Sequence, residues 1–343
     1  MRIVIIITFV LVPFFLTAQQ RPQYTQYIMN QYILNPALSG IENHADARLS
    51  YRQQWAGLEG APVTIYFTAH KPIGIQNNPV TGLTTISDAE ETNNIGSQSY
   101  SDLEFKNHHG IGMQIINDKI GPFNQTNINI TYAYHLAINT KVRLSSGTSV
   151  GFSRQSLNTN SLNFGSINPS DPSVGSTSTT MAKNNFNLSA GLWLYSSNFF
   201  LGASAQQLAP VTIDYSEGAI IGSKNRKLLP HFFFTGGYKL PINEDFAIVP
   251  SFMLKKVDPL PIQGEANVKA LYKNFIWAGG TYRFKYGFAA LAGISIMSNI
   301  DVTYSYDYST TSLNKVSNGT HEVQFGFLLK TKYSNTKCPK NIW

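Results

Sequence analysis

The sequence predicts an all-β protein: a single closed antiparallel transmembrane β-barrel of about fourteen strands in an outer membrane. Three observations carry that prediction. Of the 343 residues, 43% are hydrophobic but only 13% are charged, against roughly 25% charged in an ordinary soluble domain. Fourteen segments alternate apolar and polar residues with a period of two, the signature of strands with one wet and one apolar face. After the N-terminal run from Ile3 to Leu16, no window holds eighteen uninterrupted apolar residues, so any further membrane crossing has to be made by strands.

The elements follow in chain order. Met1-Arg2, the apolar run and Thr17-Ala18-Gln19-Gln20 have the charged, apolar and small-residue zones of a secretory signal peptide, predicted as residues 1–18. The run is shorter than the ~20 residues of a spanning helix. Residues 19–44 form an N-terminal periplasmic or lumen-occluding segment. Within it Tyr24, Tyr27, Ile28, Tyr32 and Leu34 have helical spacing, which predicts a helix over 24–34 stopped by Pro36. This segment is expected to close the lumen from the periplasmic side or to dock a periplasmic partner.

Residues 45–332 form the barrel. Its strands are predicted near 45–54, 62–70, 109–118, 125–136, 141–154, 186–195, 199–208, 230–240, 246–256, 262–271, 275–284, 286–296, 300–310 and 321–332. From Asp301, for example, Val302, Tyr304, Tyr306 and Tyr308 share one face while Asp301, Thr303, Ser305 and Asp307 share the other. Most segments have the nine to twelve residues that a tilted strand needs to cross a bilayer. With both barrel termini periplasmic, periplasmic turns should be short and external loops longer. The connections 138–140, 196–198, 241–245, 273–274 and 297–299 are tight; the external loops 155–185, 209–229 and 311–320 are long, those near 257–261 and 285 are short, and 155–185 and 209–229 are the expected partner surfaces. The connection 71–108 breaks the rule; it is long and polar, with Asp88, Glu90 and Glu91. A soluble β-sandwich would alternate as well, but it would carry charge on its outer face. Here the polar face is small and uncharged, and the apolar face is rich in Tyr, Phe and Ile.

The net charge is +7 without a dense Lys/Arg run, which argues against nucleic acid as a partner. The lone cysteine, Cys338, excludes an internal disulfide and a cysteine metal cluster. No cofactor is expected and no enzyme is predicted. Gly147-Thr148-Ser149-Val150-Gly151 spells G-x-S-x-G, but the alternation runs straight through it, where a hydrolase needs a strand-to-helix elbow. His108 and His109 are adjacent and point to opposite faces. The tail 333–343 follows the last strand and should hang in the periplasm.

The inward-facing charges are more informative. Parity places Asp46, Arg48, Arg52, Arg143, Glu265, Lys269, Asp301, Asp307 and Glu322 on the wet faces. The first and last strands become neighbours on closure. Asp46, Arg48 and Arg52 are therefore expected to join Glu322 in a polar network across the seam; separately solvated charges are the alternative.

One series of blocks runs along the chain. It starts with Tyr24, Tyr27 and Asn35-Pro36-Ala37-Leu38-Ser39-Gly40. Tyr51-Arg52-Gln53-Gln54-Trp55-Ala56-Gly57 and Gly60-Ala61-Pro62 follow, and then Asn117-Asp118-Lys119-Ile120-Gly121-Pro122. In this order the blocks closely resemble the PorP/SprF family of outer-membrane barrels, from the type IX secretion and gliding apparatus of Bacteroidetes. The 71–108 connection is longer than the family's. The resemblance implies a non-enzymatic role in secretion and surface attachment of a large gliding adhesin. The implied partners are the adhesin's C-terminal domain, periplasmic ring components of the secretion system, and outer-membrane lipid. A passive porin for small solutes is the rival reading.

Overall fold

Alternation in the sequence becomes one closed wall. The computed structural model describes residues 22–74, 107–158, 180–209, 212–213, 226–227, 229–273, 275–296 and 299–329. The barrel strands are β1 (Ala45–Gln53), β2 (Val63–Ile73), β3 (His108–Ile120), β4 (Phe123–Ala137), β5 (Arg143–Asn158), β6 (Thr180–Tyr195) and β7 (Phe199–Gln206). They continue with β8 (His231–Tyr238), β9 (Phe246–Lys256), β10 (Gln263–Tyr272), β11 (Ile276–Arg283), β12 (Gly287–Ile296), β13 (Ile300–Ser309) and β14 (Thr320–Leu329). Each strand pairs antiparallel with its sequence neighbours. β1 closes on β14 in continuous register, from Ala45 opposite Leu329 to Gln53 opposite His321. Closure leaves no ladder edge facing lipid along the seam, the condition for strands to cross a bilayer. Among the described residues no helix is long and apolar enough to cross a membrane.

Side chains sort by parity. Large apolar residues such as Tyr51, Ile130, Phe152, Phe288 and Leu329 are exposed on the outer face. Polar residues such as Asn127, Asn129, Thr131, Ser149, Asn267 and Gln324 are buried inside. This inverts the soluble pattern and accounts for the low charge, because the outer surface meets lipid. The protein is an outer-membrane barrel.

The wall is uneven. β4 runs past both ends of its expected segment, β5 runs past the far end to Asn158 and β6 starts early at Thr180, whereas β7 and β8 are short. The end at which the chain enters β1 and leaves β14 is called here the terminal end. Its turns 138–142, 196–198, 239–245, 273–275 and 297–299 are short. The opposite, hairpin end carries the turns 54–62, 121–122, 257–262, 284–286 and 310–319. Of the expected loops 155–185 and 209–229, residues 159–179, 210–211, 214–225 and 228 lie outside the described residues, as do most of the 71–108 connection, the expected signal peptide and the C-terminal tail with Cys338.

The core is not wall alone. Tyr24, Tyr27, Ile28, Met29, Tyr32, Ile33, Leu34, Leu38 and Ile41 are all buried inside the barrel. A buried side chain of this size is worth roughly 1.5–3 kcal/mol. The expected continuous helix over 24–34 is absent. Three 3-10 turns take its place: Gln26–Ile28, Gln31–Ile33 and Pro36–Leu38. Asn30 (φ −141°, ψ 62°) leaves the helical region and Asn35 (φ −136°, ψ 115°) is extended, and both interrupt the helical path. A helix turns one apolar stripe to one neighbour; this segment is surrounded by wall on all sides, and its side chains radiate toward all of it.

Candidate functional site

The N-terminal segment and the wall around it form the site. At its foot Gly40 turns the chain toward β1 with φ +72°, a left-handed conformation that side chains resist. Here the segment lies against the terminal ends of β2, β3 and β4. The ring of His135 bonds the Ser39 carbonyl at 2.8 Å, and His108 bonds the Gly40 carbonyl at 3.0 Å. The Gly40 amide donates to Nδ1 of His70 at 3.3 Å. His108 and His135 stack at 4.4 Å.

Above this clasp, strand glycines admit the segment. A Cβ on Gly110 would fall on the Ser39 carbonyl, and one on Gly191 would fall on the Asn35 amide. Gly112 and Gly147 make the same room for Tyr32 and Ala37. Asn35 donates to the Leu192 carbonyl at 2.9 Å and accepts from its own Ala37 amide at 3.0 Å. Gln206 donates to the Leu34 carbonyl at 2.7 Å, and the Tyr32 hydroxyl donates to Thr131 at 2.9 Å. Asn267 donates to the Tyr27 hydroxyl at 2.8 Å, and Asn30 donates to Thr68 at 2.8 Å. Two cavities between segment and wall hold about 20 Å³ each, room for about one water.

A charged cluster crosses the seam at the head of the segment. Arg52 of β1 meets Glu322 of β14 and Asp307 of β13, each at 2.9 Å. Arg283 of β11 lies 3.5 Å from the same Asp307 oxygen and 2.6 Å from Glu265 of β10. Arg52 and Glu322 are almost fully buried, 1% and 0% exposed. The N-terminal segment completes the cluster. The Thr25 amide donates to Glu322 at 2.8 Å, its hydroxyl donates to Asp307 at 2.7 Å, and that hydroxyl accepts from Arg52 at 2.8 Å. Tyr66 and Ser50 donate to the other Glu322 oxygen at 2.8 and 3.2 Å.

The remaining expected charges sit apart. Arg48 is held by Asp46 at 2.7 Å and reaches Gln324 rather than Glu322. Asp301 accepts from Ser295 at 2.6 Å. Lys269 is buried with its ammonium 3.7 Å from the Met29 sulfur. Arg143 lies at the start of β5, 5.9 Å over the Tyr195 ring, outside the cluster. Arg283, Thr25 and Tyr66 were not among the expected residues. Arg283 shares parity with Thr281 and could have been read from it. Thr25 has no such signal, because its partners are distant in sequence.

The quoted blocks converge on this site and its rim. Tyr24 packs edge-on against Tyr66 at 5.1 Å. Asp118 accepts from Thr64 at 2.6 Å, and Asn117 donates to Thr126 at 2.8 Å. At the hairpin end the Gly121 amide donates to the Gly60 carbonyl at 2.9 Å. The turn containing Trp55, Gly57, Gly60, Ala61 and Pro62 is thereby tied to the one containing Gly121 and Pro122. Tyr51 faces outward. Ser149 lies in a straight ladder between Thr131 and Ser189, with no elbow. Among the described residues no group of three or more His, Cys, Asp or Glu is placed to hold a metal ion.

The family model described as type IX secretion system membrane protein PorP/SprF matches residues 16–327. No curated protein matches the chain. Among solved structures, the chain is similar to the CymD monoaromatic hydrocarbon channel, at 13% identity and a TM-score of 0.49, covering 90% of this chain and 93% of that one. It is also similar to the Ralstonia pickettii toluene transporter TbuX, at 9% identity, TM-score 0.48 and coverage of 89% and 93%. For the Acinetobacter baumannii outer membrane protein Omp33 the values are 7%, 0.45, and 84% and 100%.

Proposed function

Since this chain belongs to the PorP/SprF family of type IX secretion system membrane proteins, we propose that it acts without catalysis, as a surface anchor. In this reading the hairpin-end mouth holds the C-terminal domain of a large secreted gliding adhesin, and the terminal-end face meets periplasmic ring components. One observation carries the choice of site: the lumen is already occupied by the chain's own residues 24–41, hydrogen-bonded to β1 through β7, β10, β13 and β14. A cargo domain therefore docks at the rim instead of threading the barrel. The tied turns at 54–62 and 121–122 and the loop 310–319 supply a firm outer surface for it. The same occupancy weighs against the passive porin.

Native purification of the barrel, with identification of its partners by mass spectrometry, tests this reading. An adhesin and ring components should co-purify, and replacing 311–318 by a glycine-serine linker should release the adhesin while leaving the barrel folded. A barrel that purifies alone and conducts as an open ohmic pore would establish the porin instead.

A further inference from the structure

We infer that the N-terminal segment crosses the outer membrane inside its own barrel, so that Pro22 and Gln23 reach the outer face. The inference concerns the path of the chain and holds whether or not an adhesin docks.

The path is set by successive contacts, each at a known height on a strand. Ser39 and Gly40 are held by His135 near the end of β4, His108 at the start of β3 and His70 near the end of β2; all three lie at the terminal end. The Ala37 carbonyl accepts from Ser145, two residues into β5 from the same end. Tyr32 meets Thr131 and Gln114 in the middle of β4 and β3. Tyr27 meets Asn267 in the middle of β10. Thr25 meets Arg52, one residue before β1 ends at the hairpin mouth. Pro22 and Gln23 border the cavity that Lys255 and Gln263 help to line, the next-to-last residue of β9 and the first of β10. Along these strands height rises as residue number falls, whereas on the short strand β7 the last residue, Gln206, already holds Leu34. The chain enters β1 from the terminal end, yet the residues before it lead back to the opposite mouth.

The connections orient the barrel. Short turns belong on the periplasmic side of outer-membrane barrels; five of the six terminal-end connections are short, with 74–107 the exception, while the hairpin end has the long connections 159–179 and 207–230 beside the tight turns 121–122 and 284–286. The hairpin mouth is then external. Pro22 and Gln23 are only half-buried there, so reagents, proteases and partners outside the cell have access to them.

Single cysteines test the path in intact cells, in a Cys338→Ser background. Gln23→Cys reports the segment, Glu59→Cys the hairpin mouth and Asn139→Cys the terminal-end turn; Glu59 and Asn139 are exposed. A membrane-impermeant maleimide should label Gln23→Cys and Glu59→Cys on whole cells and label Asn139→Cys only after permeabilisation. Labelling of Gln23→Cys only after permeabilisation, with Glu59→Cys labelled on whole cells, would overturn the path. Whole-cell labelling of Asn139→Cys but not of Glu59→Cys would overturn the orientation. As a second readout, a protease site with an epitope is inserted directly before Pro22. Protease added to whole cells should remove the epitope, and its retention there would overturn the inference even if Gln23→Cys proved too shielded to label.

Discussion

At the scale of single residues, Arg52 is the centre of the seam. It neutralises two carboxylates from two strands and also donates to a hydroxyl from the N-terminal segment. Breaking a buried ion pair by removing one partner costs about 3–5 kcal/mol, because the other charge is left uncompensated. Arg52→Met should therefore lower the denaturation midpoint of the detergent-solubilised barrel sharply, as read by the heat-dependent shift of its band on a gel. Tyr32→Phe is a milder probe of the same segment. It removes one hydroxyl donor to Thr131, worth about 1 kcal/mol, and should move the midpoint only slightly. Equal effects from the two substitutions would show that the cluster is not the dominant fastener.

At the scale of elements, the fourteen strands were legible because their fate depends on a local pattern. The residue pair Tyr304 and Ser305 already says which side is lipid and which is lumen, since adjacent strand residues face opposite ways. The heights of β5 and β6 were not legible, because the sequence around 155–158 and 180–185 is mostly polar and its alternation fades. The N-terminal segment was half legible. Its apolar spacing announced burial, but Asn30 and Asn35, which interrupt the helix, are explained only by the wall they bond to. The same holds for the site: Arg52, Glu322, Asp307 and Glu265 follow from parity, whereas Thr25 and the carbonyl-binding histidines follow only from the threaded path. A prediction belongs at this scale. If residues 24–41 are what fills the lumen, purified protein should be silent in planar bilayers, and replacing 24–38 by a flexible glycine-serine segment should create a conducting pore. Ohmic conductance of the unaltered protein would show that the segment leaves a passage.

For the whole molecule, closure and occupancy are coupled. β1 and β14 are joined by their own ladder, but the side chains across that ladder are also bridged by Thr25. The barrel and its occupant therefore form one cooperative unit. Glycines at 110, 112, 147 and 191 show the same coupling in the wall, where each omits a side chain in favour of the segment.

The position of Glu322 has a consequence for biogenesis. The segment that it grips is the earliest of the described residues to leave the ribosome, whereas Glu322 itself belongs to the last strand. Once the two ends of the sheet meet, the wall offers the occupant no lateral gap, and only the mouths remain open. A chain interrupted before Thr320 lacks that grip, leaves Arg52 short of one counter-charge and exposes the pairing edge of β1. Pulse-chase labelling should show chains truncated before Thr320 being degraded rather than accumulating in the outer membrane. Stable insertion of such chains would mean that the missing contact is not needed for assembly.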